Sequence, residues 1–233
     1  MNITINEKNL EHLFTQSADK LLEILSSFKN EKIVVGLCGG RSIVKLLEKL
    51  LTSAEANKNL FAKMQFFLID ERLVGIRDKD SNYNLLYQEF FLTLLEKLII
   101  KEEQIHPFTY DKANPGLALE KYTSEFKTEG GKFDLVVFGA GEDGHVASLF
   151  PNHPSIQNNN VGYIEVSNSP KPPANRISAS KAMLEKTELA VAMFLGEAKQ
   201  QAYRNYLNPN IAVEECPVKI VNTAKNQIIV TDL

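Results

Sequence analysis

The segment Phe133–Pro154, FDLVVFGAGEDGHVASLFPNHP, constrains the fold of this chain more than any other. Phe133 to Phe138 is a short apolar run broken only by Asp134, the pattern of a strand buried on both faces in a parallel sheet. Gly139 and Gly141 then stop the strand and let the backbone turn tightly. Glu142, Asp143, Gly144 and His145 follow at once. A buried strand that empties through glycines into a carboxylate and an imidazole places acid–base groups at the carboxyl edge of a sheet. Open α/β folds bind their ligands at that edge.

The same grammar recurs along the chain. An amphipathic helix is expected from about Leu10 to Phe28, on the spacing of Leu13, Phe14, Leu21, Leu22 and Leu25. The strand Lys32–Leu37 follows and ends in Cys38-Gly39-Gly40-Arg41-Ser42. A helix carrying Ile43, Val44, Leu46, Leu47, Leu50 and Leu51 comes next, with Ser42 as its expected N-cap. The strand Met64–Ile69 ends in Asp70-Glu71-Arg72, and Ser81-Asn82-Tyr83-Asn84 opens a long helix. A short strand near Gln104–Phe108 and a helix from about Pro115 to Lys127 precede the central segment. Strands are expected again at Gly162–Val166, Glu188–Leu195 and Gln227–Thr231, with a helix over Glu197–Leu207. Gln157–Asn160 and Ser167–Pro173 read as loops. This alternation predicts a three-layer α/β/α fold around a mostly parallel sheet. If the strands are parallel, GGRS, DER and DGH share one edge and together form a pocket.

Length and composition narrow the class. With no repeat, low-complexity tract or linker, the 233 residues are expected to form a single domain with a substantial core. A net charge of −3 gives no support to broad binding of nucleic acid or anionic membranes, and leaves room for a local basic pocket. Cys38 and Cys216 are too few for a disulfide framework and lack metal-ligand spacing, which points to a reducing compartment. The opening MNITINEKNLEHLF lacks the basic and apolar regions of a signal peptide, and no run is long enough to span a bilayer. A cytoplasmic protein is expected; monomer and homo-oligomer are both left open.

Each polar cluster has a plainer reading. Asp143 and His145 read either as an oriented base or as a solvated turn in which Asp143 caps the next segment. Gly39-Gly40-Arg41-Ser42 either cradles an anion on backbone N–H groups or makes an ordinary βα turn. Arg72 offers a planar fork to a phosphate, or merely pairs with its neighbours Asp70 and Glu71. Ser169-Pro170-Lys171-Pro172-Pro173 is a stiff extended loop that either presents Lys171 as a fixed cation, with Arg176 nearby, or only connects two strands. Gly139, Gly141 and Gly144 also fit a dinucleotide-binding G-x-G-x-x-G, but His145 and Pro151 suit poorly the long helix such a motif opens. Asp78, Asp80, Asn82 and Glu89 fall at calcium-loop positions, yet Tyr83 stands where glycine is required.

Taken together, these clusters in this order resemble the 6-phosphogluconolactonase family. The matching residues are GGRS at Gly39–Ser42, DER at Asp70–Arg72 with Ser81-Asn82, GAGEDGHVASLFP at Gly139–Pro151, and SPKPPANRI at Ser169–Ile177. The resemblance implies a modified Rossmann-like fold shared with the glucosamine-6-phosphate deaminases. It also implies hydrolysis of 6-phospho-D-glucono-1,5-lactone in the pentose phosphate pathway, with no cofactor and no metal. It assigns catalysis to His145 and Asp143, and the phosphate to Arg72, Lys171 and Arg176. Gly39, Gly40, Arg41, Ser42, Asp70, Ser81, Asn82 and Gly141 would line the substrate site. Ser42-Ile43 departs from the Thr-Pro frequent in relatives.

The deaminase motif resembles DGHIAFNEP, with a working carboxylate five residues after the histidine. Here that position is Phe150, which favours a lactonase over an amine-releasing isomerase. A non-catalytic sugar-phosphate sensor is a third reading.

Overall fold

A computed structural model describes residues Met1 to Leu233. The strands are β1 (Asn2–Asn6), β2 (Ile33–Leu37), β3 (Met64–Leu68), β4 (Asp70–Arg72), β5 (Ile105–His106), β6 (Leu135–Gly139), β7 (Tyr163–Val166), β8 (Arg176–Ala179), β9 (Leu189–Phe194) and β10 (Asn226–Thr231). Seven of them form one sheet in the order β1-β10-β9-β6-β2-β3-β5, and every pairing in it is parallel. Helices cover both faces, including Leu10–Ser26, Arg41–Ser53 and Pro115–Thr128. The strands β2, β3 and β9 are buried at every position, as the continuous apolar runs predict. Asp134, the one charge in the central run, accepts from the Val34 N–H at 2.9 Å and from Asn30 Nδ2 at 2.8 Å. Its burial is therefore compensated, although burial still pushes the carboxyl upward.

Three strands escape sequence reasoning, β1, β4 and β8. β1 carries only one buried residue, Ile5, and sits at the sheet edge beside β10, so no apolar run marks it. β8 is four residues long and starts on a buried arginine, the opposite of a hydrophobic signal. The predicted strand Gly162–Val166 exists as β7 but does not join the parallel sheet. It forms a second, antiparallel sheet in the order β4-β8-β7. The DER motif, expected as a loop at a strand end, is itself the edge of that small sheet.

Ile69 is the junction of the two sheets. Its N–H donates to Leu37 O of β2 at 2.8 Å, and its carbonyl accepts from the Ala179 N–H at 2.6 Å. Two buried tyrosines secure the turn from below. The Leu68 N–H donates to Tyr122 Oη at 2.8 Å, while Tyr163 Oη donates to the Leu68 carbonyl at 2.7 Å. Both rings pack in the core with their polar tips satisfied, as buried tyrosines require. Asp70 is thus delivered to a defined place immediately after β3.

The helix expected from Ser81 runs through Asn82–Leu86, a π-helical turn at Tyr87–Phe91, and Leu92–Glu96. Ser81 caps it by accepting from the Asn84 N–H. No helix is long and apolar enough to cross a membrane.

Candidate active site

The chain steps outward from β2 to β3 and β5, then returns to β6 on the other side of β2 and continues to β9 and β10. Strand order therefore reverses between β2 and β6, and the crevice outside their carboxyl ends is the ligand position of such sheets. The Gly39–Ser42 turn leaves β2 on one side of it. The Gly141–His145 turn leaves β6 on the other.

The helix Arg41–Ser53 begins two residues earlier than expected. Gly40, at φ 124°, is its N-cap, so Ser42 lies inside the first turn rather than capping it. With no side-chain cap, the first-turn N–H groups are free to meet an anion. Arg41 is exposed at this helix end and Ser42 is half-buried. Gly39 is required by close approach, since a Cβ there would collide with Asn82 Oδ1.

Asn82 donates through Nδ2 to the Asp70 carbonyl at 2.9 Å and to Asp70 Oδ1 at 3.1 Å. Asp70, Ser81 and Asn82 are all buried. All three side chains are held within the fold, Asn82 on Asp70, Ser81 on Glu71, and Asp70 on Ser148. Turned toward Asp70, Asn82 is not available to a calcium loop. Nor do any three His, Cys, Asp or Glu side chains gather to hold a metal ion.

Glu71 is not among the candidate site residues that the sequence singles out. Its carboxylate accepts from the N–H groups of Arg72, Asn82 and Tyr83 at 2.7–2.8 Å and from Ser81 Oγ at 3.0 Å. Burial pushes this carboxyl upward, against the pull of those four donors. Arg72 donates through Nη1 to the Asp80 carbonyl at 2.6 Å, and its Nε is buried without a partner.

On the other wall, His145 Nδ1 lies 2.5 Å from Asp143 Oδ1, which also accepts the His145 N–H at 3.2 Å. The imidazole packs against Phe150 with ring centres 4.7 Å apart. Gly141 makes the pair possible, because a Cβ there would collide with Nδ1 and Cε1 of the ring. No helix opens at Gly144, and the backbone runs through turns to Pro151, so the dinucleotide-like glycine spacing lacks its helix. With Nδ1 engaged, Nε2 is the nitrogen able to take a proton from water.

Burial raises the Asp143 carboxyl, but the hydrogen bond and charge of His145, helped by Lys171, outweigh it and hold the group well below the carboxylate range. A carboxyl depressed below its unfolded value of about 3.9 stabilises the fold fully above that pH, and the contribution is lost as pH falls through the folded value. Asp143→Asn is therefore expected to lower Tm near neutrality, with the gap to wild type closing in strong acid. A gap that stays constant down to about pH 2 would show that ionisation of the pair contributes nothing.

Lys171 reaches toward the same wall, its Nζ 3.8 Å from Glu142 Oε2. Arg176, grouped with it from sequence, behaves differently. Its guanidinium is turned inward and spent on carbonyls of the Lys171–Pro173 loop, so direct phosphate contact does not follow from its position.

A further cation, Lys199, was missed. Burial pushes its ammonium downward; Glu142 and Asp143 pull it up, while Lys171 and Arg41 push it down, so all five groups share one field. Lys199 follows β9, beside β6, after Gly196. The sequence signal was present, since Gly196-Glu197-Ala198-Lys199 repeats the strand–glycine–charge pattern of the other clusters.

Comparison with known proteins bears on what this arrangement does. The family model described as glucosamine-6-phosphate isomerases/6-phosphogluconolactonase matches residues 8–230. A 6-phosphogluconolactonase of Borreliella burgdorferi is 34% identical over 230 residues, covering 96% of each chain. One from Rattus norvegicus is 32% identical over 207 residues, covering 85% of this chain and 76% of that one. Among solved structures, a 6-phosphogluconolactonase of Thermotoga maritima superposes with a TM-score of 0.80 at 24% identity, covering 99% of both chains. A monomeric glucosamine-6-phosphate deaminase also reaches 0.80, at 16% identity, covering 98% of this chain and 96% of its own. The fold alone does not separate these two activities.

Proposed function

The chain belongs to the family of glucosamine-6-phosphate isomerases and 6-phosphogluconolactonases, and from that premise we propose that it hydrolyses 6-phospho-D-glucono-1,5-lactone to 6-phospho-D-gluconate. The observation that carries this reading is the Asp143–His145 pair at the switch-point crevice, with buried Phe150 five residues on. An amine-releasing isomerisation would need a carboxylate at that position; ester hydrolysis needs only the base.

His145 Nε2 takes a proton from water as the water oxygen attacks the lactone carbonyl carbon. The tetrahedral intermediate collapses by breaking the bond to the ring oxygen, which receives that proton from the imidazolium and leaves as a hydroxyl. Asp143 fixes the orientation of the ring. The developing oxyanion falls to backbone N–H groups of the Gly39–Ser42 turn, since those of Gly141 and Gly144 are spent on the His145 and Gly141 carbonyls. The phosphate falls to Lys171 and Arg72, with Lys199 and Arg41 adding positive field and Gly39, Gly40, Ser42 and Gly141 shaping the wall. Two free and buried cysteines support a reducing, cytoplasmic setting.

The test is hydrolysis of freshly generated lactone with the spontaneous rate subtracted. A rate far above background supports the proposal. A rate equal to background from folded protein, with ammonia released from glucosamine 6-phosphate, would replace it by the deaminase reading. Lys171→Ala is expected to raise KM by about 10-fold or more, with kcat changed little, if it binds phosphate equally in ground and transition states. An unchanged KM would remove Lys171 from the phosphate site.

A further inference from the structure

Arg176 opens β8 with a side chain only 5% exposed. Its Nε donates to the Pro173 carbonyl at 3.0 Å, and its Nη2 donates to the Lys171 and Pro172 carbonyls at 3.0 and 3.2 Å. Its Nη1 faces Ser148 Oγ at 3.5 Å and Asp70 Oδ2 at 3.8 Å. Its Cζ lies over the Phe150 ring, 5.6 Å from the ring centre. Three consecutive carbonyls therefore converge on one planar fork, and the remaining donors point at a buried carboxylate and hydroxyl. A lysine ammonium can supply the charge but not that geometry.

The anchor is also tied to the catalytic wall. Ser148, three residues after His145, donates through Oγ to Asp70 Oδ2 at 2.8 Å. Asp70 also holds Asn82, which packs against Gly39. One buried ion pair thus joins the proline loop to the segments carrying both walls of the crevice. Within the loop, the Ser169 N–H donates to the Ala174 carbonyl at 2.9 Å, while Ser169 Oγ donates to the Lys171 carbonyl at 2.9 Å. The backbone of Lys171 is held from two sides, and only its ammonium end extends toward Glu142.

We propose that Arg176 is a positioning residue that clamps the Lys171–Pro173 loop and so sets the Lys171 ammonium over the site, with Asp70 and Ser148 as its anchor. This rests on the reading of Lys171 as a phosphate ligand. The clamp itself does not depend on the activity, and the test separates the two.

In Arg176→Lys, backbone amide exchange across residues 167–175 is expected to quicken by roughly 10-fold while the strands of the parallel sheet keep their protection. The ratio of kcat/KM for the phosphorylated lactone to that for D-glucono-1,5-lactone should fall by roughly 10-fold, the size of one misplaced charge-assisted contact. Adding Arg176→Lys to Lys171→Ala should lower this ratio no further, because both changes remove the same contact.

Unchanged exchange in the loop would overturn the clamp. Equal losses on both lactones would reduce Arg176 to a fold residue. Losses that multiply with those of Lys171→Ala would make it an independent phosphate ligand. If wild type accelerates neither lactone, the proposed function fails; exchange, and calorimetric binding of 6-phosphogluconate to both proteins, then decide the clamp alone. Should Arg176→Lys not fold, Ser148→Ala removes one anchor contact without touching the loop carbonyls. It is expected to move the same readouts in the same direction by a smaller factor, and no movement would count against the proposal.

Discussion

Replacing His145 with alanine is expected to lower kcat by about 10²–10⁴-fold, the usual contribution of a positioned general acid–base group. KM should change little, because the proton transfer is made in the transition state and not in the bound ground state. The side chain is half-buried and its main apolar contact is the Phe150 ring, so the variant should keep its fold. The measurement is the initial rate on fresh lactone beside wild type, with the spontaneous opening subtracted and folding checked by the thermal transition. Wild-type activity in the variant would keep the hydrolase reading and discard His145 as base. A large rise in KM with kcat intact would make His145 a binding group.

The second large effect belongs to a residue that is not expected to touch substrate. Glu71→Ala should orphan three backbone N–H groups and the Ser81 hydroxyl, all directed at the Glu71 carboxylate in the fold. An unsatisfied buried donor costs about 1–3 kcal/mol, and water entering the space left by the side chain recovers part of it, so a net loss of about 3–5 kcal/mol is expected. For a chain of this size that corresponds to a fall in Tm of roughly 6–20 °C. Glu71→Gln should lose less, since its amide oxygen still accepts while its NH₂ opposes a donor. Thermal unfolding by circular dichroism measures both. A Tm within about 1 °C of wild type for Glu71→Ala would mean that solvent serves these donors as well as the carboxylate does.

The effect on activity should follow from what Glu71 holds. It fixes the N–H of Arg72 and the start of the helix at Asn82, and Asn82 closes the gap to Gly39. Loosening it should disturb the phosphate side of the crevice more than the Asp143–His145 pair on the far wall.

Much of this was written in local sequence. The continuous apolar runs of β2, β3, β6 and β9 announce strands buried on both faces, because no exposed face imposes alternation. The glycines after β2 and β6 mark turns at the crevice, and Asp143 two residues from His145 places the carboxylate within reach of the ring. The helix start at Ser81 was equally legible, since hydroxyl capping is a local contact. What local pattern could not supply was the second sheet. Asp70-Glu71-Arg72 pairs with Arg176–Ser178 through backbone hydrogen bonds between segments far apart in the chain, and three-residue strands carry no periodicity.

The sequence by itself determined the α/β class, the edge at which the polar clusters gather, and the chemistry available there, because each depends on residue types and spacings within a few positions. The tertiary structure alone decided which charges work at the surface and which are buried behind it. Arg72, Lys171 and Arg176 look alike as cations in a sequence. Only the folded chain brings Asp70, Ser148 and three loop carbonyls around Arg176, and a guanidinium surrounded by acceptors is held there by the cost of leaving it unpaired.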